Sequence, residues 1–204
     1  MIHVISGGPS EVSFPIHIVV IDKDGLTDPK DIRNKKRSII LINNGIHPGE
    51  PEGIDASMIF ARKMVLDKAS LAYLIRVTII IIPIYNIGGS LLRNSTSRVN
   101  QNGPMTYGFR GNRQNLDLNR DFIKCDSKNA KTFSNIFNQW NPDILIDNHT
   151  SDGADYTYNI TLLASQRNKL NVILGDYMYN KFIPSIYASM NLLRYWPDII
   201  DYIP

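Results

Sequence analysis

Two stretches of this chain are apolar on nearly every residue rather than on every second one: residues 38–43, Ser38-Ile39-Ile40-Leu41-Ile42-Asn43, and residues 77–84, which end Ile82-Pro83-Ile84. A strand with one wet face alternates apolar and polar side chains, so near-continuous runs of this length mark strands covered on both faces of a parallel or mixed sheet. Between them, residues 51–68 carry Ile54, Met58, Ala61 and Val65 at helical spacing, with Pro51 suited to a first helical turn. The order is strand, loop, helix, strand. Residues 143–147, Asp143-Ile144-Leu145-Ile146-Asp147, form a third apolar segment, and the β-branched residues 15–22 form another, closed by a turn at Asp24-Gly25. His17 inside the latter is an ordinary strand residue. The expected fold is therefore α/β, with a mixed, mostly parallel central sheet flanked by helices and functional groups gathered at strand ends.

Further elements follow from local signals. Asp126 or Ser127 caps a helix over 127–140 whose apolar face is Phe133, Ile136, Phe137 and Trp140, and Asn141-Pro142 ends it. Residues 156–164 alternate like another strand, and 170–190 read as a helix bent or interrupted at Pro184. Residues 88–115 are polar, rich in Asn, Ser, Gly and Arg, and a loop of that length in a compact domain usually serves a binding site. Asp22, Asp24 and Asp28 lack the spacing and terminal glutamate of a calcium loop, so they read as turn residues.

Composition narrows the function classes. A chain of 204 residues, 43% apolar, buries a core as a single domain spanning 1–204. Its net charge of +3 makes no case for nucleic acid, and the one basic cluster, Arg33-Asn34-Lys35-Lys36-Arg37, reads as a solvated loop. Cys125 is the single cysteine, which excludes an internal disulfide. No signal peptide is readable at Met1-Ile2-His3-Val4, and the longest apolar run falls short of the roughly 20 residues a membrane helix needs, so no membrane partner is expected. Localisation stays open.

Chemistry concentrates just past the strands. His47-Pro48-Gly49-Glu50 places an imidazole and a carboxylate three residues apart after the first apolar run, and the isolated His149 follows the segment 143–147. Two histidines and one carboxylate, with a fourth position left to water, form the ligand set of a catalytic zinc rather than a structural one. The alternative is a Pro-Gly turn that happens to be flanked by His and Glu.

The stretch Asn115-Leu116-Asp117-Leu118-Asn119-Arg120-Asp121-Phe122 decides between them. With the order HxxE, a strand ending Pro83-Ile84-Tyr85-Asn86, Asn-Arg and a lone His, the chain resembles the zinc carboxypeptidases and their deacylase relatives. It departs from many of them at Asn86-Ile87-Gly88-Gly89, where they read Asn-Pro-Asp-Gly. The resemblance implies Zn2+ held by His47, Glu50 and His149, polarising a scissile carbonyl and lowering the pKa of its water toward about 7. It implies that Asn119 and Arg120 bind the free carboxylate of a peptide or acyl-amino-acid substrate, bidentate guanidinium on planar carboxylate. It further implies that Arg110 stabilises the oxyanion, with Arg98 a close rival, and that Asp117 accepts a hydrogen bond from the ligand imidazole of His47 and fixes its tautomer. The bland reading, a solvated loop charge, is strongest for Arg98 and Arg113.

The chain has only Glu11, Glu50 and Glu52, none after His149, whereas the family's general base is a downstream glutamate. The expectation is thus a zinc metallocarboxypeptidase represented by an incomplete catalytic domain, its C-terminal part missing. Two alternatives remain: an N-acyl amino acid deacylase, and a non-catalytic, zinc-dependent carboxylate-binding module. Substitute bases would be Glu52, Asp152 or Asp155. Relatives are often secreted or periplasmic.

Overall fold

A computed structural model of the protein describes residues 1–98, 100–101, 104–151, 153–154, 156 and 160–192. By internal packing the chain divides into two compact units, Met1–Gly153 and Ala154–Pro204.

The first unit contains strands β1 (Ile2–Pro9), β2 (Pro15–Ile21), β3 (Ser38–Asn43), β4 (Val77–Ile82), the short pair β5 (Arg93–Asn94) and β6 (Tyr107–Gly108), and β7 (Ile144–Asp147). Its helices are α1 (Pro29–Asn34), α2 (Glu52–Leu66), α3 (Ile87–Leu91) and α4 (Lys128–Trp140). The main sheet runs β1-β2-β4-β3-β7. β1, β2 and β4 pair antiparallel, while β3 lies parallel to both β4 and β7. The sheet is mixed, and the parallel half is the one whose strand ends carry the histidines.

Side-chain parity explains the layers. Along β4, Ile80 and Ile82 point to a cluster with Ile39, Leu41, Phe133, Ile136 and Trp140, whereas Ile79 and Ile81 join Ile21, Met64 and Leu74 in a second cluster. Successive residues of a strand face opposite ways, so an all-apolar strand buries both sets. α4 covers one face as its sequence predicts. Ser127 caps it by accepting from the N–H of Ala130, and Asn141 closes it in a left-handed conformation before Pro142.

α2 covers the other face, turned from its expected orientation. Its buried positions are Ser57 and Met64, while Met58 and Val65 are exposed. Ser57 takes an inward position because its hydroxyl accepts from Asn44 Nδ2 at 3.0 Å, a satisfied polar contact that apolar periodicity does not register.

Two elements of this unit carry weak sequence signals. β1 is an edge strand with a register irregularity between Ser6 and Gly8, which breaks its alternation. α1 is capped by Asp28, whose Oδ1 accepts from Lys30 N at 2.8 Å, with Pro29 in its first turn. The basic cluster there is not a uniformly solvated loop. Arg37 is buried and pairs with Asp22 at 2.8 Å and Asp24 at 2.5 Å, and Arg33 pairs with Asp143 at 2.6 Å. Asp22 also accepts from the N–H groups of Asp24 and Leu26, as its turn role requires.

The second unit carries α5 (Val172–Tyr177), a π turn over Met178–Phe182, and α6 (Ile183–Leu192), preceded by residues 160–166 without regular structure. The wide turn lies immediately before Pro184, whose missing N–H and bulky ring interrupt regular α spacing as anticipated. No strand forms among the described residues of 156–164, since none of them has a ladder partner. Among the described residues no helix is long and apolar enough to cross a membrane.

Candidate metal centre

The loop after β3 is bolted to the loop after β4. Asn44 N donates to Ile82 O, Tyr85 N to Asn44 O and Asn86 N to Gly45 O, all at 2.9–3.1 Å. These bonds continue the parallel ladder past the strand ends and present His47 and Glu50 beyond them, where Glu50 N closes a turn on His47 O at 3.0 Å. β7, parallel to β3 on its other side, brings His149 to the same place.

The ligand-type atoms of His47, Glu50 and His149 lie within 4.8 Å of one another. His47 Nδ1 is 3.0 Å from Glu50 Oε1, and His149 Nδ1 is 3.0 Å from Glu50 Oε2. The far nitrogens are held as well. His47 Nε2 meets Asp117 Oδ1 at 3.0 Å, and His149 Nε2 meets Asp147 Oδ2 at 3.0 Å. Two imidazoles that turn the same nitrogen inward, each backed by a carboxylate, together with one converging carboxylate, fit the donor chemistry of a catalytic zinc.

The carboxylates and imidazoles hold one another by charge. Burial raises the Glu50 carboxyl, but hydrogen bonds from His149, His47 and the backbone of Thr150 outweigh it and hold the group well below the carboxylate range. Asp117 is raised by burial and lowered further by His47, the N–H of Asn119 and Arg110, so it too stays ionised. Hydrogen bonds to Asp147 and then Glu50 push the His149 imidazole up to about 9, against burial.

The arginines separate sharply. Arg98, read as a surface residue or a rival of Arg110, is buried, with its Nη2 3.0 Å from Glu50 Oε1 and its Nε 2.9 Å from Gln101 Oε1. Gly49 makes room for it: a Cβ there would lie 2.4 Å from Arg98 Cδ and 2.9 Å from the carbonyl oxygen of Gly108. Arg110 stays 36% exposed, its Nε and Nη2 both 3.1 Å from the Asp117 oxygen that His47 does not use. Asn119 and Arg120 sit on a 3-10 turn opened by Asp117, which accepts from Asn119 N at 3.0 Å. The Arg120 guanidinium is exposed, with Nη1 donating to Asn119 O at 3.0 Å. Asp117 therefore ties one ligand histidine to Arg110 and to the Asn119-Arg120 pair.

Asn86 caps α3 by accepting from Gly89 N at 2.8 Å, and its amide donates to the carbonyls of Ile46 and Arg110. The unusual Ile87-Gly88 pair thus begins a short helix, and the polar stretch 88–115 holds more order than a loop. Glu52 is exposed and accepts from the hydroxyl of Thr150. Asp152 and Asp155 lie outside the described residues. Sequence reasoning missed Asp147 and the Arg98–Glu50 contact. The first had a legible signal, a carboxylate two residues before a strand-end histidine; the second had none.

The comparisons accord with this geometry. The sequence matches the zinc carboxypeptidase family over residues 1–180, and the chain belongs to that family, whose members depend on zinc. A search of curated proteins returned no match. Among solved structures, the fold is similar to a metallo-carboxypeptidase from Burkholderia cenocepacia, at 18% identity and TM-score 0.59, over 76% of this chain and 38% of that one. It is also similar to a Burkholderia mallei protein assigned as a carboxypeptidase, at 17% identity and TM-score 0.69, over 100% and 46%. A third is a Pseudomonas aeruginosa metallo-carboxypeptidase in complex with (2-guanidinoethylmercapto)succinic acid, at 15% identity and TM-score 0.54, over 72% and 34%. The chain spans less than half the length of each.

Proposed function

We propose that the protein is a zinc metallocarboxypeptidase acting on the C-terminal bond of peptides, with His47, Glu50 and His149 as the metal ligands. The observation that carries this reading is the convergence of two Nδ1 atoms and one carboxylate at the ends of parallel strands. Zinc in this set supplies Lewis-acid polarisation of a carbonyl and a lowered pKa for water.

The chain's own residues do the rest. Arg120, exposed beside the centre's Asp117, pairs with the substrate's terminal carboxylate, and Asn119 supplies a further amide. Arg110, partly exposed, swings from Asp117 to the oxygen on which negative charge develops. Asp117 keeps the proton on His47 Nε2, so that Nδ1 faces the metal. The succinic acid derivative held by the Pseudomonas aeruginosa relative supports a dicarboxylate-type ligand for this site.

A second reading, a carboxylate-binding module without turnover, is favoured by one observation: Glu52, the further glutamate beside the ligands among the described residues, is engaged with Thr150. An N-acyl amino acid deacylase would use the same carboxylate recognition. Zinc-loaded protein should bind a succinic acid inhibitor, and Arg120→Ala should weaken that binding by about 10- to 100-fold, the scale of hydrogen bonds to a charged group, while zinc is retained. Calorimetry showing equal affinity in the variant would place the carboxylate pocket elsewhere.

A further inference from the structure

Asp147 does more than end a strand. The parallel register of β3 and β7 sets Asn43 beside Asp147, and Asn43 Nδ2 donates to Asp147 Oδ1 at 2.9 Å. Asn43 is fully buried, and its Oδ1 has no hydrogen-bond partner among the described residues. The amide thus faces its NH2 to the carboxylate and leaves its own oxygen unused. The other oxygen, Asp147 Oδ2, is the one 3.0 Å from His149 Nε2.

The residues that follow are held one by one from the β3 side. Asn148 N donates to Asn43 O at 3.0 Å, and Asn148 Nδ2 donates to Asn44 Oδ1 at 2.8 Å. Thr150 N donates to Glu50 Oε2 at 3.0 Å. Gly53 lets the start of α2 close over this strip, since a Cβ there would lie 2.6 Å from Asn148 Cβ and 2.8 Å from Asn44 Oδ1. The backbone on both sides of His149 is therefore fixed, and what is left to choose is the orientation of a ring whose side chain is still 33% exposed. An imidazole can offer either nitrogen to a metal, and the hydrogen bond made by one nitrogen decides which.

We infer that Asp147, aimed by Asn43, is the positioning residue that turns Nδ1 of His149 to the metal. This rests on the reading of His47, Glu50 and His149 as zinc ligands. It makes the two histidines equivalent in design, Asp117 serving His47 and Asp147 serving His149, although Asp147 comes from the same strand as its histidine. Its orientation depends on strand pairing rather than on a separate loop. Slippage of β7 against β3 would remove it.

The experiment uses the full chain and its Asp147→Ala, Asp147→Asn and Asn43→Ala variants. Zinc affinity is measured by chelator competition, the visible spectrum of the cobalt-substituted form is recorded, and metal-free melting is followed as a control. Asp147→Ala should lose about 10- to 100-fold in zinc affinity, with a changed cobalt spectrum and an unchanged metal-free melt. Asp147→Asn should recover most of the affinity, because an amide oxygen still accepts from Nε2–H and Asn43 can flip to accept the new NH2 with its unused oxygen. Asn43→Ala should fall between. If the wild-type chain binds no zinc, the ligand reading itself fails. If it binds zinc and both alanine variants match it in affinity and cobalt spectrum, the ligand reading stands and the role of Asp147 is overturned. Should Asp147→Ala not fold, the order wild type, Asp147→Asn, Asn43→Ala decides the matter, and equal values overturn it.

Discussion

At Gly49 the site depends on an absent side chain. Arg98 reaches Glu50 through the space a Cβ would occupy, and the nearby carbonyl of Gly108 belongs to the backbone and cannot rotate away. Gly49→Ala should therefore destabilise the fold by about 1–3 kcal/mol, the scale of overpacking, and lower zinc affinity as Glu50 shifts. Urea denaturation and chelator competition read the two effects, and a variant equal to wild type in both would show that Arg98 is not packed there. Asp22 offers a pH prediction. Its carboxyl is raised by burial but lowered on balance by Thr78, the N–H of Leu26, Arg37 and the N–H of Asp24, ending below its ordinary value of 3.8. A depressed carboxyl stabilises the fold above its unfolded-state pKa, and that contribution disappears as pH falls through the folded value. The urea midpoint should thus drop between pH 5 and pH values below about 4, and Asp22→Asn, already weakened at neutral pH by leaving buried Arg37 with Asp24 as its remaining carboxylate partner, should show a smaller drop. An equal drop in both proteins would remove Asp22 from acid unfolding.

At the level of elements, α2 separates what sequence periodicity conveys from what it does not. The helix, its start near Pro51 and its place between β3 and β4 are all legible, because a helix-length segment between two buried strands has to cross the sheet face. Its inward stripe is not, because buried Ser57 occupies a position where apolar periodicity looks for a hydrophobe. The consequence is measurable. Met64→Ala should cost about 2–5 kcal/mol, a large-to-small change in the core. Met58→Ala, at 61% exposure, should stay within about 0.5 kcal/mol. The reverse ranking in urea denaturation would mean that the helix faces the sheet as its apolar spacing suggested. The candidate ligands were legible for a different reason. His47, Glu50 and His149 are short-range signals at strand ends, and the run through Asp117, Asn119 and Arg120 is nearly contiguous. Arg98 acts through a contact set by tertiary packing, which local spacing does not encode, whereas Asp147 carried a local signal, its place two residues before His149, and only its pairing with Asn43 depends on strand register. β1 was hidden by its irregular register, and the alternation over 156–164 indicated a strand that the described residues do not form.

For the molecule as a whole, the sheet and its covering helices bring into one place a ligand cluster, a shared aspartate and three arginines, Arg98, Arg110 and Arg120, within a chain that matches the zinc carboxypeptidase family over residues 1–180. A positioned general base contributes about 10²- to 10⁴-fold in rate, and the described part of the centre offers Glu52 alone as a further glutamate beside the ligands. Release of C-terminal residues by the zinc-loaded protein that is abolished by Glu52→Gln would assign that carboxylate as the base, and release unchanged in the variant would exclude it. Upstream of rate lies the proposal that His47, Glu50 and His149 hold one zinc. Elemental analysis of the purified chain and of His149→Ala tests it most directly. One zinc per wild-type chain and loss of most of it in the variant are expected; zinc at full occupancy in His149→Ala, or none in the wild type, would rule these residues out as the ligands.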